Sequence, residues 1–249
     1  MRPNREKVLN LAHRGASGHA PENTMEAFYR AEQLGADGFE FDVQLTRDGV
    51  PVVIHDETLN RTTNGQGYVY MHTLDELRAL DAGSWYAPQY KGLQIPTLQE
   101  VIETFGGRMV LNIELKNSIF DMPGLEEKTL DLIRCNQIEN SVVVSSFHHG
   151  SMQKFHALAP DIKCGLLYDC VIVGATEYAE RLGASALHPF FATVKPELVA
   201  EAHRAGLEVN VWTVNEMDHM RLAVLSGVDA MITNYPDRLK SVLESSPII

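Results

Sequence analysis

Apolar residues in this chain fall into two alternating rhythms. Short runs of strand character occur at Val8–Ala12, Asp37–Leu45, Met109–Leu115, Ser141–Ser146, Lys163–Leu167, Ser185–His188, Glu208–Trp212 and Asp229–Ile232. These read as strands. Their first residues step by 29, 72, 32, 22, 22, 23 and 21 positions, and most steps suit a strand, a helix and two short loops. Between the runs, apolar residues recur at three- and four-residue spacing, with helix start and stop signals beside them. Asn23-Thr24 precedes the amphipathic run Met25–Leu34, which stops at Gly35. Thr73 with Glu76, and Thr97 with Glu100, have the spacing of a capping box, in which each side chain satisfies a backbone amide of the other. Pro196 and Pro236 fall near the starts of Lys195–Ala205 and Pro236–Glu244, where a missing N–H costs nothing.

Eight βα units predict an α/β fold, a (β/α)8 TIM barrel filling residues 1–249 as one domain. A doubly wound open sheet is the alternative, and the absence of a GxGxxG after the first strand weakens it. The 72-residue step places an insertion after the second barrel strand, at approximately 46–92. Within it, Thr46-Arg47-Asp48-Gly49 joins two β-like runs as a hairpin, followed by a Gly- and Tyr-rich stretch resembling a small lobe. Tyr68, Tyr70, Trp85, Tyr86 and Tyr90 in or beside it fit a lid or the lobe's own core equally.

Charge narrows the function classes. The chain carries 21 basic and 33 acidic residues, a net −12, which disfavours nucleic acid and anionic membrane surfaces as partners. The N-terminal stretch lacks the apolar segment of a secretory signal, and Cys135, Cys164 and Cys170 show neither disulfide nor zinc spacing. Those cysteines read as buried fillers, and the expected compartment is a reducing cytoplasm. A homo-oligomer is compatible with the fold class, but no patch in the sequence identifies an interface.

Barrel active sites form at the carboxyl ends of the strands. There the chain delivers His13 and Arg14, then Glu40 and Asp42, then His55 from the hairpin, then Glu114 and Lys116. Because side chains alternate in a strand, Glu40 and Asp42 share one face while Phe39, Phe41 and Val43 take the other. By the same count Asn112, Glu114 and Lys116 point together. Clustered carboxylates raise one another's pKa, and a divalent cation relieves that conflict. An all-oxygen set favours Mg²⁺ or Ca²⁺. Arg14 and Lys116 suit a phosphate beside such an ion, and His13 with His55 suits acid–base chemistry. A purely structural ion network of the same acids with Arg14 and Lys116 is the competing reading.

These residues sit in a series of motifs that resembles the glycerophosphodiester phosphodiesterase family. The series runs through His13-Arg14-Gly15, Pro21-Glu22-Asn23-Thr24, Glu40-Phe41-Asp42-Val43, Pro51 to Asp56, Leu80 to Trp85, Ile95 to Leu98, Asn112 to Lys116, Val211 to Asn215 and Ile232 to Pro236. The resemblance spans nearly the whole chain. It implies a barrel with a small insertion and metal-dependent hydrolysis of glycerophosphodiesters to sn-glycerol 3-phosphate and an alcohol. It assigns acid–base roles to His13 and His55, one divalent cation (Mg²⁺ or Ca²⁺) to Glu40, Asp42 and Glu114, and the phosphate to Arg14 and Lys116. Some relatives act on lysophospholipids, and some related barrels attack with an internal hydroxyl through a cyclic phosphate. A lysophospholipase D and a non-catalytic phosphodiester- or metal-binding protein are the alternative functions.

Weaker candidates surround this set. Phe147 and Trp212 lie at strand ends and suit packing on substrate as well as on a core. Asn215 and Asn234 lie just past strand ends, Glu22 and Asn23 in the first βα loop, and His188 reads as a structural histidine. His19 and His203 lack a partner pattern and read as solvated.

Overall fold

The computed structural model describes residues 7–117 and 119–245 of the chain. Its first half runs β1 (Leu9–His13), α1 (Met25–Gln33), β2 (Gly38–Leu45), β3 (Pro51–Val53), α2 (Leu74–Arg78), α3 (Leu98–Phe105), β4 (Val110–Leu115) and α4 (Leu125–Cys135). The second half is regular: β5 (Val142–Ser146), α5 (His149–Leu158), β6 (Lys163–Tyr168), α6 (Ala175–Leu182), β7 (Ala186–Pro189), α7 (Pro196–Arg204), β8 (Glu208–Val211), α8 (Met217–Ser226), β9 (Ala230–Thr233) and α9 (Pro236–Ser245). The parallel strands follow one another in the order β1-β9-β8-β7-β6-β5-β4-β2, and pairing of β1 with β2 closes the ring. This is the (β/α)8 barrel, and each expected strand lies within two residues of its observed bounds.

Two kinds of residue build the wall. Outward-facing Phe39 and Phe41 on β2 meet Phe28 of α1 and Phe105 of α3, with ring centroids 4.5 Å apart for Phe28–Phe39 and 5.1 Å for Phe39–Phe105. All four rings are buried, each worth roughly 1.5–3 kcal/mol against exposure. The same alternation turns Glu40, Asp42 and Gln44 inward, so all of β2 is buried although three of its eight residues are polar.

The barrel interior is mixed. Leu11, Ala230 and Ile232 form an apolar cluster. Across it, Asn112 Nδ2 donates to Ser145 Oγ at 3.2 Å and Asn210 Nδ2 to His188 Nε2 at 3.0 Å. His188 fits because β6 offers Gly165 against its ring; a Cβ there would sit 2.4 Å from its Nε2.

Between β2 and α3 the chain leaves the barrel. The turn is closed by Val50 N–H donating to Thr46 Oγ1 (2.8 Å), with Gly49 at φ +77°, and β3 returns antiparallel on β2. The excursion then builds a small aliphatic core from Val52, Ile54, Leu59, Val69, Leu77, Ala82 and Ile95. Its aromatics are not that core: Tyr68 and Tyr70 pack instead on Phe120 of the β4–α4 loop, at 5.2 and 5.0 Å. Both capping boxes form, at Thr73 and Thr97. The cysteine expectation holds only for Cys164; Cys135 ends α4 and Cys170 follows β6, and both are exposed. Among the described residues, no helix is long and apolar enough to cross a membrane.

Burial pushes the pKa of His188 down to about 3. Below pH 6.5 the unfolded chain therefore takes up a proton that the folded barrel refuses, and stability falls as pH drops from 6.5 towards 3. Urea unfolding should show His188→Gln losing less stability than the parent between pH 6 and pH 5, by about 1 kcal/mol. Equal losses would mean that His188 does not contribute to the acid sensitivity.

Candidate active site

Every charged residue expected at the barrel mouth from β1, β2 and β4 is there. β1 ends at His13, and the backbone then turns sharply, with Arg14 at φ +55° and Gly15 at φ +77°. A Cβ at Gly15 would lie 2.7 Å from Ala27 of α1, so only glycine lets the turn pack there. The turn sets the Arg14 amide against Glu40, donating to its carbonyl at 2.7 Å and its Oε2 at 3.2 Å. His13 Nε2 lies 3.8 Å from Glu40 Oε2, and its Nδ1 meets Asn234 Oδ1 at 2.7 Å. The facing register of β2 and β4 places Asp42 opposite Glu114. Lys116 Nζ reaches both, 2.9 Å from Glu114 Oε1 and 3.8 Å from Asp42 Oδ1. Arg14 Nε lies 3.4 Å from Asp42 Oδ2 as an ion pair, and that oxygen accepts a hydrogen bond from Asn23 Nδ2 at 2.8 Å.

His55 follows the β3 hairpin rather than a barrel strand. Gln44, inward on β2, holds that corner by directing its Nε2 at the carbonyls of Ile54, His55 and Asp56, at 3.0, 3.1 and 2.7 Å. His55 Nδ1 lies 2.7 Å from Asp56 Oδ1. A carboxylate accepts only, so Nδ1 carries the proton and Nε2 is left free. The Ile54 amide donates to the Asp42 carbonyl at 3.0 Å, which holds this corner beside the acids of β2.

Oxygens of Glu40, Asp42 and Glu114 lie within 4.8 Å of one another, all three residues buried. Burial, then Asp42 and Glu114, push Glu40 well above the usual carboxylate range. Burial also raises Glu114 against the pull of Lys116. Asp42 goes the other way: burial penalises its charge, but Arg14, Lys116, His55 and Asn23 outweigh that and hold it low. Lys116 is raised, Glu114 and Asp42 overcoming its own burial. Burial and Arg14 push His13 down to about 4. Such a set of hard oxygens, with more acid than the two cations balance, fits a divalent ion with oxygen ligands.

Residues 13–238 match the Glycerophosphoryl diester phosphodiesterase family. The chain belongs to that family. A glycerophosphodiester phosphodiesterase of Caldanaerobacter subterraneus subsp. tengcongensis is 46% identical, over 94% of this chain and 96% of its own length. One of Bacillus altitudinis is 44% identical, over 94% and 97%. Among solved structures, an Oleispira antarctica phosphodiesterase in complex with the product sn-glycerol-3-phosphate superimposes with a TM-score of 0.86 at 35% identity, covering 94% of this chain and 96% of that one. A glycerophosphodiester phosphodiesterase from Agrobacterium tumefaciens gives a TM-score of 0.84 at 33% identity, with 94% and 100% covered.

In this phosphodiesterase the aromatic candidates stand together at the mouth. Phe147 meets Trp212 edge to face at 5.3 Å, and Trp212 also contacts Phe190 at 5.7 Å. Trp212 Nε1 donates to the His188 carbonyl at 2.8 Å, which fixes the indole plane, while Phe147 is 38% exposed. Asn215 does not reach the charges; its Oδ1 accepts from the amide of Asn234 at 2.9 Å, so it supports the partner of His13.

Several residues were read differently from sequence. Of the two residues offered as a cap for α1, Thr24 takes that place and Asn23 is left to reach Asp42. His19 pairs with Asp237 and His203 with Asp229, each at 2.8 Å, partners 218 and 26 positions away that no local pattern signals. Gln44 and Arg61 carry no signal beyond polarity, and Asp56 is marked only by its motif beside His55.

Because Glu40 is held up by burial and by its acidic neighbours, the uncharged Glu40→Gln should stabilise the cation-free enzyme at pH 7. Chemical denaturation in EDTA measures this. A loss of stability would show that the acids are already balanced without an ion.

Proposed function

We propose that this enzyme hydrolyses glycerophosphodiesters to sn-glycerol 3-phosphate and an alcohol, with one divalent cation, Mg²⁺ or Ca²⁺, held by Glu40, Asp42 and Glu114. The observation that carries the reading is the meeting of three buried carboxylates, two cationic side chains and the His13 imidazole at one barrel mouth, with His55 on the hairpin corner bonded to β2 beside them. An ion network built only for stability needs no imidazole with a free ring nitrogen. The product-bound Oleispira antarctica phosphodiesterase, of the same fold, supports the choice of product. We take the chain as a single domain, with the 46–92 stretch as its insertion.

The cation, when bound, withdraws charge from a phosphoryl oxygen and favours attack at phosphorus. Arg14 and Lys116 take the remaining phosphate oxygens and stabilise charge that grows as the leaving bond lengthens. Arg14 supplies a planar fork, Lys116 a point charge that Glu114 and Asp42 keep protonated. One of His13 and His55 removes the proton from the attacking oxygen, that of water or of a glycerol hydroxyl whose cyclic phosphate water then opens, while the other gives a proton to the departing alkoxide. Each ring is oriented by its Nδ1 contact, to Asn234 and Asp56 respectively. The P–O bond to the alcohol breaks and the glycerol oxygen stays on phosphorus. Phe147 and Trp212 offer an apolar wall to the substrate's carbon skeleton.

Incubation with glycerophosphocholine and Mg²⁺ or Ca²⁺ should release glycerol 3-phosphate; none with either ion, across several headgroups, overturns the proposal. His13→Ala and His55→Ala should each lower kcat by roughly 10² or more, the scale of a lost general acid or base. Saturating cation should raise unfolding stability by about 2.7 kcal/mol at a hundred times its Kd, and Asp42→Asn should abolish most of that gain. An unchanged melting temperature with either ion would remove the cation from the reading.

A further inference from the structure

Glu22 and Asp56 reach the mouth from different parts of the chain, one from the loop after β1 and the other from the corner after β3. Arg61, from the excursion, joins them. Its Nε and Nη2 donate to Asp56 Oδ2 and Oδ1 at 2.7 and 2.9 Å. Its Nη1 and Nη2 donate to Glu22 Oε2 and Oε1 at 2.8 and 2.7 Å. Each carboxylate has a second bond: Asp56 Oδ1 accepts from His55 Nδ1 at 2.7 Å, and Glu22 Oε1 from Arg14 Nη1 at 2.8 Å. One guanidinium therefore stands one carboxylate away from a proposed acid–base imidazole and one carboxylate away from a proposed phosphate ligand.

We propose that Arg61 is a positioning residue, a two-sided clamp that fixes the His55 ring through Asp56 and the Arg14 side chain through Glu22. The inference rests on the roles given above to His55 and Arg14. Geometry, rather than charge alone, is what Arg61 supplies. A guanidinium presents five N–H donors in one plane and serves two carboxylates in parallel, whereas a lysine ammonium is a point charge with three. The bonds also keep both carboxylates ionised: those from Arg61 hold Asp56 at about 2, and Glu22 is lowered by Arg61 and Arg14 despite its burial. Trp85, its ring 6.0 Å from the guanidinium carbon, lies on the lobe side of the clamp.

The test compares Arg61→Ala and Arg61→Lys with Asp56→Asn, Glu22→Gln and the double variants. Arg61→Ala should lower kcat tenfold or more and raise KM, and Arg61→Lys should restore little of either. In the Asp56→Asn background Arg61→Ala should cost no more than about a further twofold in kcat. In the Glu22→Gln background it should leave KM unmoved. Losses that multiply in both backgrounds overturn the clamp.

A second readout is independent of turnover. Histidine side-chain 15N shifts, with His55 assigned through His55→Gln, should show a single Nδ1–H tautomer in the parent and tautomer averaging in Arg61→Ala. Unchanged His55 shifts overturn the proposal. Altered shifts with unimpaired turnover uphold the clamp and overturn instead the acid–base role of His55. Should Arg61→Ala fail to fold, Arg61→Lys, which keeps the charge, gives the same readouts.

Discussion

Three carboxylates and two cations share a buried mouth, and their balance sets nearly everything around it. The acids cannot all ionise so close together without compensation, which is why Glu40 and Glu114 rise while Asp42, flanked by Arg14 and Lys116, stays low. A barrel is well suited to hold such a conflict. Its wall is tied by parallel pairing all round and by aromatic packing on the outside, so electrostatic strain within does not spread the strands. The unfavourable inner charges and the favourable outer rings sit on alternate residues of β2.

The two imidazoles are supported differently. His13 ends a barrel strand, and its partner Asn234 follows another, β9, so both belong to the rigid wall. His55 stands on a hairpin corner and depends on side chains for its place, Gln44 below and Asp56 beside it. The excursion is thus part of the site's framework and not merely a covering. It brings in His55, Asp56 and Arg61 on one stretch of chain, and it touches the first βα loop again where Tyr90 Oη donates to the His19 carbonyl at 3.0 Å.

How much of this was legible in the sequence depended on whether the signal was periodic or spatial. The strands are legible because short apolar runs recur, at a nearly constant step from Ser141 onwards, and the orientation of β2 is legible because Phe and acid alternate in it. The carboxylates, His13 and the two cations followed from strand ends. What stayed hidden was whatever bonds across long sequence separations. Arg61 lies 39 residues from Glu22 and carries nothing locally to distinguish it from a solvated arginine. Asn23, beside a good cap residue, was masked by that more ordinary explanation. His203 and His19 found carboxylates that no spacing rule predicts, and Cys135 and Cys170 ended up exposed because they fall at element ends.

β2 has a further consequence for how this sequence can change. Phe39 and Phe41 must face the helices while Glu40 and Asp42 must face the mouth, within a strand of eight residues. Exchanging one side chain there damages one surface. Deleting or adding a single residue reverses both, sending acids into the oily seam and phenyl rings into the charged opening. Across descent, β2 should thus tolerate changes of letter far better than changes of length.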